Sequence, residues 1–321
     1  MNFMQPKKHT FLHSPLGIAL LASLCNLLWG SAIPFINLGY RSFAVGSDDT
    51  AAQILFAGLR FMLAGILTII IRSLMLRRPA LPRAGGARRV GILALTQTIL
   101  QYILFYVGLA HTEPVKSSII QGLNSFISIL VACYLFRTEK MTSRKVLGGF
   151  LGICGVMAVQ LRGTVSGGLS LAGEGALVLS MLANALSASL IKHFGQEDDP
   201  MTLCGWQFAF GGFVMTLCGI AAGGRLHAQS FLAIPVLVYL AVLSATAYSL
   251  WSVLLRNNPV SRIAAFMVLQ PIFGVLLTTL LTGGSSGLPP LRILLALVLV
   301  STCILLITTD PKRTTSGRSD A

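Results

Sequence analysis

The chain is 321 residues long, 54% hydrophobic and only 11% charged, with a mean hydropathy of +0.78 and a formal net charge of +14. Soluble domains carry about 25% charged residues, so an aqueous globular fold is excluded and a polytopic all-α membrane protein is expected. The basic residues lie between apolar segments and form no aromatic-interleaved surface, which excludes nucleic acid as the reason for the charge.

Ten segments are long enough to cross a hydrocarbon layer of about 30 Å. They cover 16–38, 52–74, 88–110, 114–136, 144–161, 172–194, 201–222, 231–255, 260–282 and 291–309. Residues 1–15 form a short N-terminal segment in which Lys7 and Lys8 precede the first span. That span continues past the length of a signal-peptide apolar core and ends at no small-residue cleavage site, so a retained helix is expected.

Span 1 carries Asn26 and Trp29 near its middle. Span 2 carries Arg60 about a third of the way in, where a structural role is expected, by snorkelling or by pairing with a carboxylate such as Glu113. Span 3 contains LTQTILQY, from Leu95 to Tyr102. An α-helix places Gln97 and Gln101 on one face there, with Tyr102 alongside. Span 4 carries Gln121, Asn124 and Ser125. Span 5 holds a GxxxG pair, Gly148 and Gly152, and almost no polar side chain at mid-depth.

Span 6 carries Asn184 and Ser187, and span 7 carries Trp206 and Gln207 toward one end, with a second GxxxG pair at Gly219 and Gly223. Span 8 holds Ser244, Tyr248 and Trp251, and span 9 holds Gln270 beside Pro271, which interrupts the backbone hydrogen bonding. Span 10 is nearly free of polar groups, and residues 310–321 form a tail. The GxxxG pairs indicate close helix packing, with a homodimer interface as the secondary reading.

With the N-terminus inside and the spans alternating, 18 of the 24 Lys and Arg residues fall on the inner side. The positive-inside rule then places both termini in the cytoplasm. The six cysteines (Cys25, Cys133, Cys154, Cys204, Cys218, Cys303) all lie in apolar segments with no CxxC spacing, and read as small buried hydrophobes rather than disulfides or metal ligands.

Two internal echoes divide the chain. The stretch from His111 aligns without a gap with the stretch from Arg256, at an offset of 145, with Pro114-Val115 over Pro259-Val260. The stretch from Gly17 aligns with that from Gly175, at an offset of 158, with Asn26 over Asn184. Units 16–161 and 172–309 each have five spans; an odd number inserts the two in opposite orientation, the inverted-repeat plan of many transporters.

These features resemble the drug/metabolite transporter superfamily, EamA type. Span 4 leads into a short charged turn with Glu139, followed by a glycine-rich span with Gly148, Gly149, Gly152 and Gly155. LLWGSAIPF around Trp29, LRFMLAGIL around Arg60 and VLQPIFGVLL around Pro271 are similar to the family's first, second and ninth spans. Two departures break the symmetry, since Phe126 stands opposite Pro271 and Gly284 opposite Glu139. The resemblance implies ten spans, a central polar cavity, and export or exchange of small organic metabolites across the cytoplasmic membrane.

Polar groups within a bilayer avoid lipid, and here they concentrate on spans 1, 3, 4, 6, 8 and 9 while skipping 5 and 10. A shared cavity explains that distribution better than scattered interhelical hydrogen bonds. The expected lining is Asn26, Trp29, Gln97, Gln101, Tyr102, Gln121, Asn124, Asn184, Tyr248, Trp251 and Gln270. Amides, hydroxyls and aromatic faces suit a zwitterionic or neutral small molecule, and no cofactor is called for. All ten acidic residues sit in loops or at span ends, so facilitated transport or exchange without a midplane carboxylate is expected, with coupling through Glu113 or Glu174 left open. GGSSG at 283–287 matches a nucleophile motif but lacks strand–turn–helix context and a mid-depth histidine, so no enzyme is expected. A receptor or scaffold would need an output domain that the short tail does not supply, and an ion channel would need a pore loop or charged rings.

Overall fold

The computed structural model describes residues 10–112, 114–160, 170–282 and 290–310, which are helical with short connections. Helix starts follow local chemistry. Ser14 accepts the Gly17 N–H at 3.0 Å and opens α1 (Pro15–Ser42). Asp49 accepts the Ala52 N–H at 2.8 Å and opens α2 (Thr50–Leu76). That helix stops at Arg77, whose φ of 52° is left-handed.

The third apolar segment is one rod, α3 (Gly86–Ala110), but it is not uniformly α-helical. Ala94–Leu100 forms a π-helix, so Gln97 lies in a widened turn rather than in the expected α-helix. Just beyond the π-helix, Ser180 Oγ donates to the Gln101 carbonyl at 2.7 Å and ties α7 (Leu171–Phe194) to this rod. Next come α4 (Pro114–Gly122) and α5 (Asn124–Leu135), separated at Leu123. Then follow α6 (Ser143–Gln160), α7 (Leu171–Phe194), α8 (Pro200–Ala221) and α9 (Ala233–Asn257). Helix α10 covers 260–282 and tightens to a 3-10 turn over Ala265–Val268, just before Pro271. The last helix is α11 (Pro290–Thr308).

Eight helices among the described residues are long and apolar enough to cross a membrane. The two expected spans outside that set have clear reasons. Segment 114–136 is broken at Leu123 into two short pieces. Helix α6 spends its first turn on Arg144 and Lys145, which shortens its apolar length.

Hydrogen bonds show which ends lie together. Asn258 Nδ2 donates to the Leu12 carbonyl at 3.1 Å, and Lys192 Nζ donates to the Asn258 carbonyl at 2.6 Å. The Arg83 N–H reaches Asp198 Oδ1 at 2.9 Å, and Arg144 reaches the Thr309 carbonyl at 3.1 Å. The start of α1, the α2–α3, α5–α6, α7–α8 and α9–α10 connections and the end of α11 therefore share one end, here termed the basic end. At the opposite end, the His227 and Gln229 N–H groups donate to the Phe43 and Ser42 carbonyls.

Helix α2 packs on α8 through reciprocal glycines seven residues apart, Gly58 and Gly65 against Gly205, Gly212 and Gly219. Helix α6 packs on α11 with glycines on one side only: Gly148 faces Ile307, Gly152 faces Cys303 and Gly155 faces Val300. The first GxxxG pair is thus taken by a contact within the chain. The second is corrected: Gly219 packs on Leu55, but Gly223 lies beyond α8 with φ 89° and serves a turn.

Candidate functional site

Between α1, α2, α3, α4, α5, α6, α7, α9 and α10 lies a cavity of about 240 Å³. That is close to the lower limit of about 300 Å³ for small-molecule sites, so the space suits a compact metabolite. Its wall includes Trp29, Gln97, Gln101, Tyr102, Gln121, Asn124, Asn184, Tyr248, Trp251 and Gln270, ten of the eleven residues singled out from the sequence.

Asn26 is the exception. It is fully buried, and its Nδ2 donates to the Ala22 carbonyl one turn back at 2.7 Å. Beside it Cys25 Sγ meets the Ala247 carbonyl at 3.5 Å, so this stretch of α1 is pressed against α9; Asn26 Oδ1 is buried there with no partner among the described residues.

One side of the cavity is aromatic. Trp29 lies 5.0 Å from both the Tyr248 and Trp251 rings, and Phe61 lies 4.4 Å from the Tyr102 ring. The Tyr102 and Tyr248 hydroxyls are hydrogen-bonded to each other, joining α3 to α9. The two glutamines of LTQTILQY divide their work. Gln97 Oε1 accepts from Gln207 Nε2 at 3.0 Å, and Gln207 Oε1 accepts from Thr98 Oγ1 at 2.7 Å, so Gln97 is both wall and interhelical tie. Gln101 Oε1 is buried with no partner among the described residues, as are Asn124 Oδ1 and Trp29 Nε1. Buried polar atoms are normally satisfied, so these three, together with Arg60 Nε, are free hydrogen-bonding capacity on the wall.

The sequence reading missed several wall residues. Ser128 and Ser180 are short hydroxyls that carry no signal in an apolar run. Met267 comes to the wall because α10 is broken beside Pro271, whose missing N–H releases the carbonyl four residues back. Arg60, for which a structural role is expected, also lines the cavity. Glu113, its suggested partner, lies outside the described residues, as does GGSSG. Trp206 instead ties α8 to the α2–α3 connection, donating to the Ala80 carbonyl at 2.8 Å.

The cavity has an apolar floor at the basic end. Leu255 and Val260 line it and belong to a buried cluster with Ile18, Leu93 and Leu254. Polar ties lie beyond the floor. Glu139 Oε2 meets Lys145 Nζ at 2.9 Å, and the same carboxylate accepts the Ser261 hydroxyl and, at 3.1 Å, the Ser261 N–H in the first turn of α10. Arg89 bridges Asp198 at 2.7 Å and also pairs with Glu197.

Arg72 binds both oxygens of Asp199, at 2.7 and 2.9 Å, while Asp199 caps α8 through the Thr202 N–H at 2.9 Å. Partial burial pushes the Asp199 carboxyl up, but Arg72 and Thr202 together outweigh it and hold the group below the usual carboxylate range. The sign follows. A carboxyl whose pKa is lowered by folding stabilises fully above its unfolded value of about 3.9, and that stabilisation fades as the pH falls through the folded value. Asp199→Asn should therefore melt lower than wild type at pH 7, and the two curves should converge below about pH 4. A constant gap across the acid range would remove the charge from the explanation.

At the opposite end, Lys116 pairs with Glu174 at 3.3 Å, and Glu174 also accepts the Ser170 N–H at 2.8 Å.

Comparison with known proteins agrees with this architecture. The model of the EamA-like transporter family matches residues 16–161 and again 171–309. An uncharacterized transporter of Archaeoglobus fulgidus is 24% identical over 261 residues, 79% of this chain and 85% of that protein. The uncharacterized transporter YvbV of Bacillus subtilis is 25% identical over 310 residues, 92% of each chain. One solved crystal structure superposes with a TM-score of 0.71 at 15% identity, covering 91% of this chain and 97% of the other, which speaks to the fold alone. With both matches spanning nearly all of its apolar sequence, the chain belongs to the EamA-like transporter family, within the drug/metabolite transporter superfamily, and is a multi-pass membrane protein.

Proposed function

We propose that this protein is a secondary transporter of the cytoplasmic membrane that moves a small polar, zwitterionic or amphipathic metabolite, amino-acid-like in size, by alternating access. The observation that carries the reading is the cavity wall: amides, hydroxyls and aromatic faces from both halves of the chain converge on one space that is sealed at the basic end. Export or exchange is the direction that the family implies.

In this reading the chain has ten spans in two inverted five-span units. Support comes from equivalent breaks: Leu123 divides α4 from α5, and the 3-10 turn of α10 ends at Val268, exactly one 145-residue offset away. Discontinuous helices at matching positions are where such carriers build their sites. The pairing of α2 with α8 and of α6 with α11 matches span 2 with 7 and span 5 with 10. The basic end faces the cytoplasm, following the positive-inside rule, so the conformation is closed on that side. Transport proceeds without an intramembrane carboxylate relay, since Glu174 is engaged by Lys116 and Ser170, and Glu139 by Lys145 and Ser261.

The test places one cysteine at position 101 in a chain lacking the six native cysteines. Membrane-impermeant thiol reagents are then applied from each side. Labelling from both sides is expected, because alternating access wets the Gln101 face in turn. Labelling from neither side, or from one side only under all conditions, would defeat the reading.

A further inference from the structure

Arg60 is the one charge on the wall that the reading above leaves without a task. It lies ten residues after Thr50, about 15 Å along the roughly 40 Å of α2 at about 1.5 Å per residue, well inside a helix long and apolar enough to cross a membrane. The residue is 5% exposed and lines the cavity. Arg60 thus brings a buried cationic side chain to the cavity wall from within a membrane-spanning helix.

Its protein surroundings compensate it only in part. The Arg60 Cζ lies 4.4 Å from the Phe61 ring centroid, and that ring is stacked on Phe208 with centroids 5.1 Å apart. An aromatic face returns only a fraction of the hydration a guanidinium gives up. The Tyr102 hydroxyl is within hydrogen-bonding reach of the guanidinium, but Nε is buried with no hydrogen-bond partner among the described residues. Among the described residues the carboxylates in ion pairs are Glu139, Glu174, Glu197, Asp198 and Asp199, all committed to other cations at helix ends. Intramembrane charges of this kind are typically balanced by a partner or a ligand.

We propose that Arg60 is a carboxylate subsite, and that the substrate carries one carboxylate on a small apolar or aromatic body. The planar fork of guanidinium matches a carboxylate through two parallel N–H···O bonds. Arg60 is the sole charged residue on the described wall, so one anionic group is matched and a phosphate ester or dicarboxylate is not. The body of the substrate packs against Trp29, Tyr102 and Tyr248, and Gln101 Oε1 and Asn124 Oδ1 accept any amino hydrogens. The inference rests on the transport reading and narrows its substrate to monocarboxylates, amino acids included.

The experiment uses the full chain in detergent, with melting temperature as the readout of binding. The probes are L-phenylalanine, L-leucine, 3-phenylpropanoate and 4-methylpentanoate, each beside its primary amide. At least one acid should raise the melting temperature, with its amide bound about tenfold or more weakly. Arg60→Gln should erase the difference between acid and amide, and Arg60→Lys should keep part of it. The inference is overturned if no acid stabilises the protein, if acid and amide bind equally, or if Arg60→Gln preserves the discrimination. The comparison of acid with amide on wild type decides the matter even if neither variant folds. Uptake of the same probes into proteoliposomes separates the two readings. Binding through Arg60 without uptake removes the transport reading and leaves the subsite; equal uptake of acid and amide removes the subsite and leaves transport.

Discussion

Replacing Gly65 by valine should leave no monodisperse protein after detergent extraction. A Cβ at Gly65 falls 2.1 Å from the Ala209 backbone N and 2.6 Å from the Gly205 carbonyl oxygen. Both atoms are backbone, so no rotamer change relieves the clash, and α2 and α8 must separate. Separation breaks the whole contact. Gly212 stands 2.2 Å from the Met62 N in the same sense, and Gly58 stands 2.5 Å from the Thr216 N. Overpacking in a soluble core costs typically about 1–3 kcal/mol because side chains yield; here the cost should exceed about 3 kcal/mol because they cannot. In a bilayer no hydrophobic force between helices offsets the loss, since lipid solvates a separated helix as well as a neighbour does. Gly91, where an added Cβ meets nothing within 4 Å, supplies the control: Gly91→Ala should extract and melt like wild type. Normal behaviour of Gly65→Val on size exclusion would mean that the close approach is not what holds α2 to α8.

Glu139→Ala should be the most damaging single change at the basic end. The carboxylate holds Lys145 at 2.9 Å and the first turn of α10 through Ser261, with side-chain exposures of 3% for Glu139 and 6% for Lys145. Removing one member of a buried pair strands the other charge, at a cost of about 3–5 kcal/mol. Lys145 would keep only the Lys140 carbonyl at 2.9 Å and a contact of 3.9 Å to Cys133 Sγ. The double variant Glu139→Ala with Lys145→Met should recover part of the loss, because the uncompensated ammonium is gone. Thermal melting of the four proteins in one detergent measures the coupling. A double variant no more stable than Glu139→Ala would place the damage in the lost Ser261 contacts alone.

Much of the site was legible because membrane burial makes polar residues conspicuous. Gln101, Asn124, Asn184 and Gln270 stand out in apolar runs, and all four line the cavity. Asn26 looked the same in sequence but lies off the cavity wall, with its Nδ2 bonded to the Ala22 carbonyl in its own helix. Composition cannot tell a local backbone bond from a free amide. The same limit hid Gln207, which reads as a peripheral polar residue yet is fully buried in a chain of hydrogen bonds to Gln97 and Thr98.

By itself the sequence determined the class of the protein, the rough extent of its helices, and the gathering of its basic connections at one end. These follow from hydropathy, length and the cost of burying charge, each a property of short windows. The caps at Ser14, Asp49 and Asp199 were equally local. Only the tertiary structure decided which glycines bring helices together, where the rods widen or break, and that Arg60 faces the cavity. The π-turn at Ala94–Leu100 and the break at Leu123 sit where the chain meets distant partners, such as Ser180 Oγ on the Gln101 carbonyl and Ser125 Oγ on the Ala264 carbonyl. Those partners lie many residues away in sequence, so the geometry of the wall is a property of packing and not of any window of the chain.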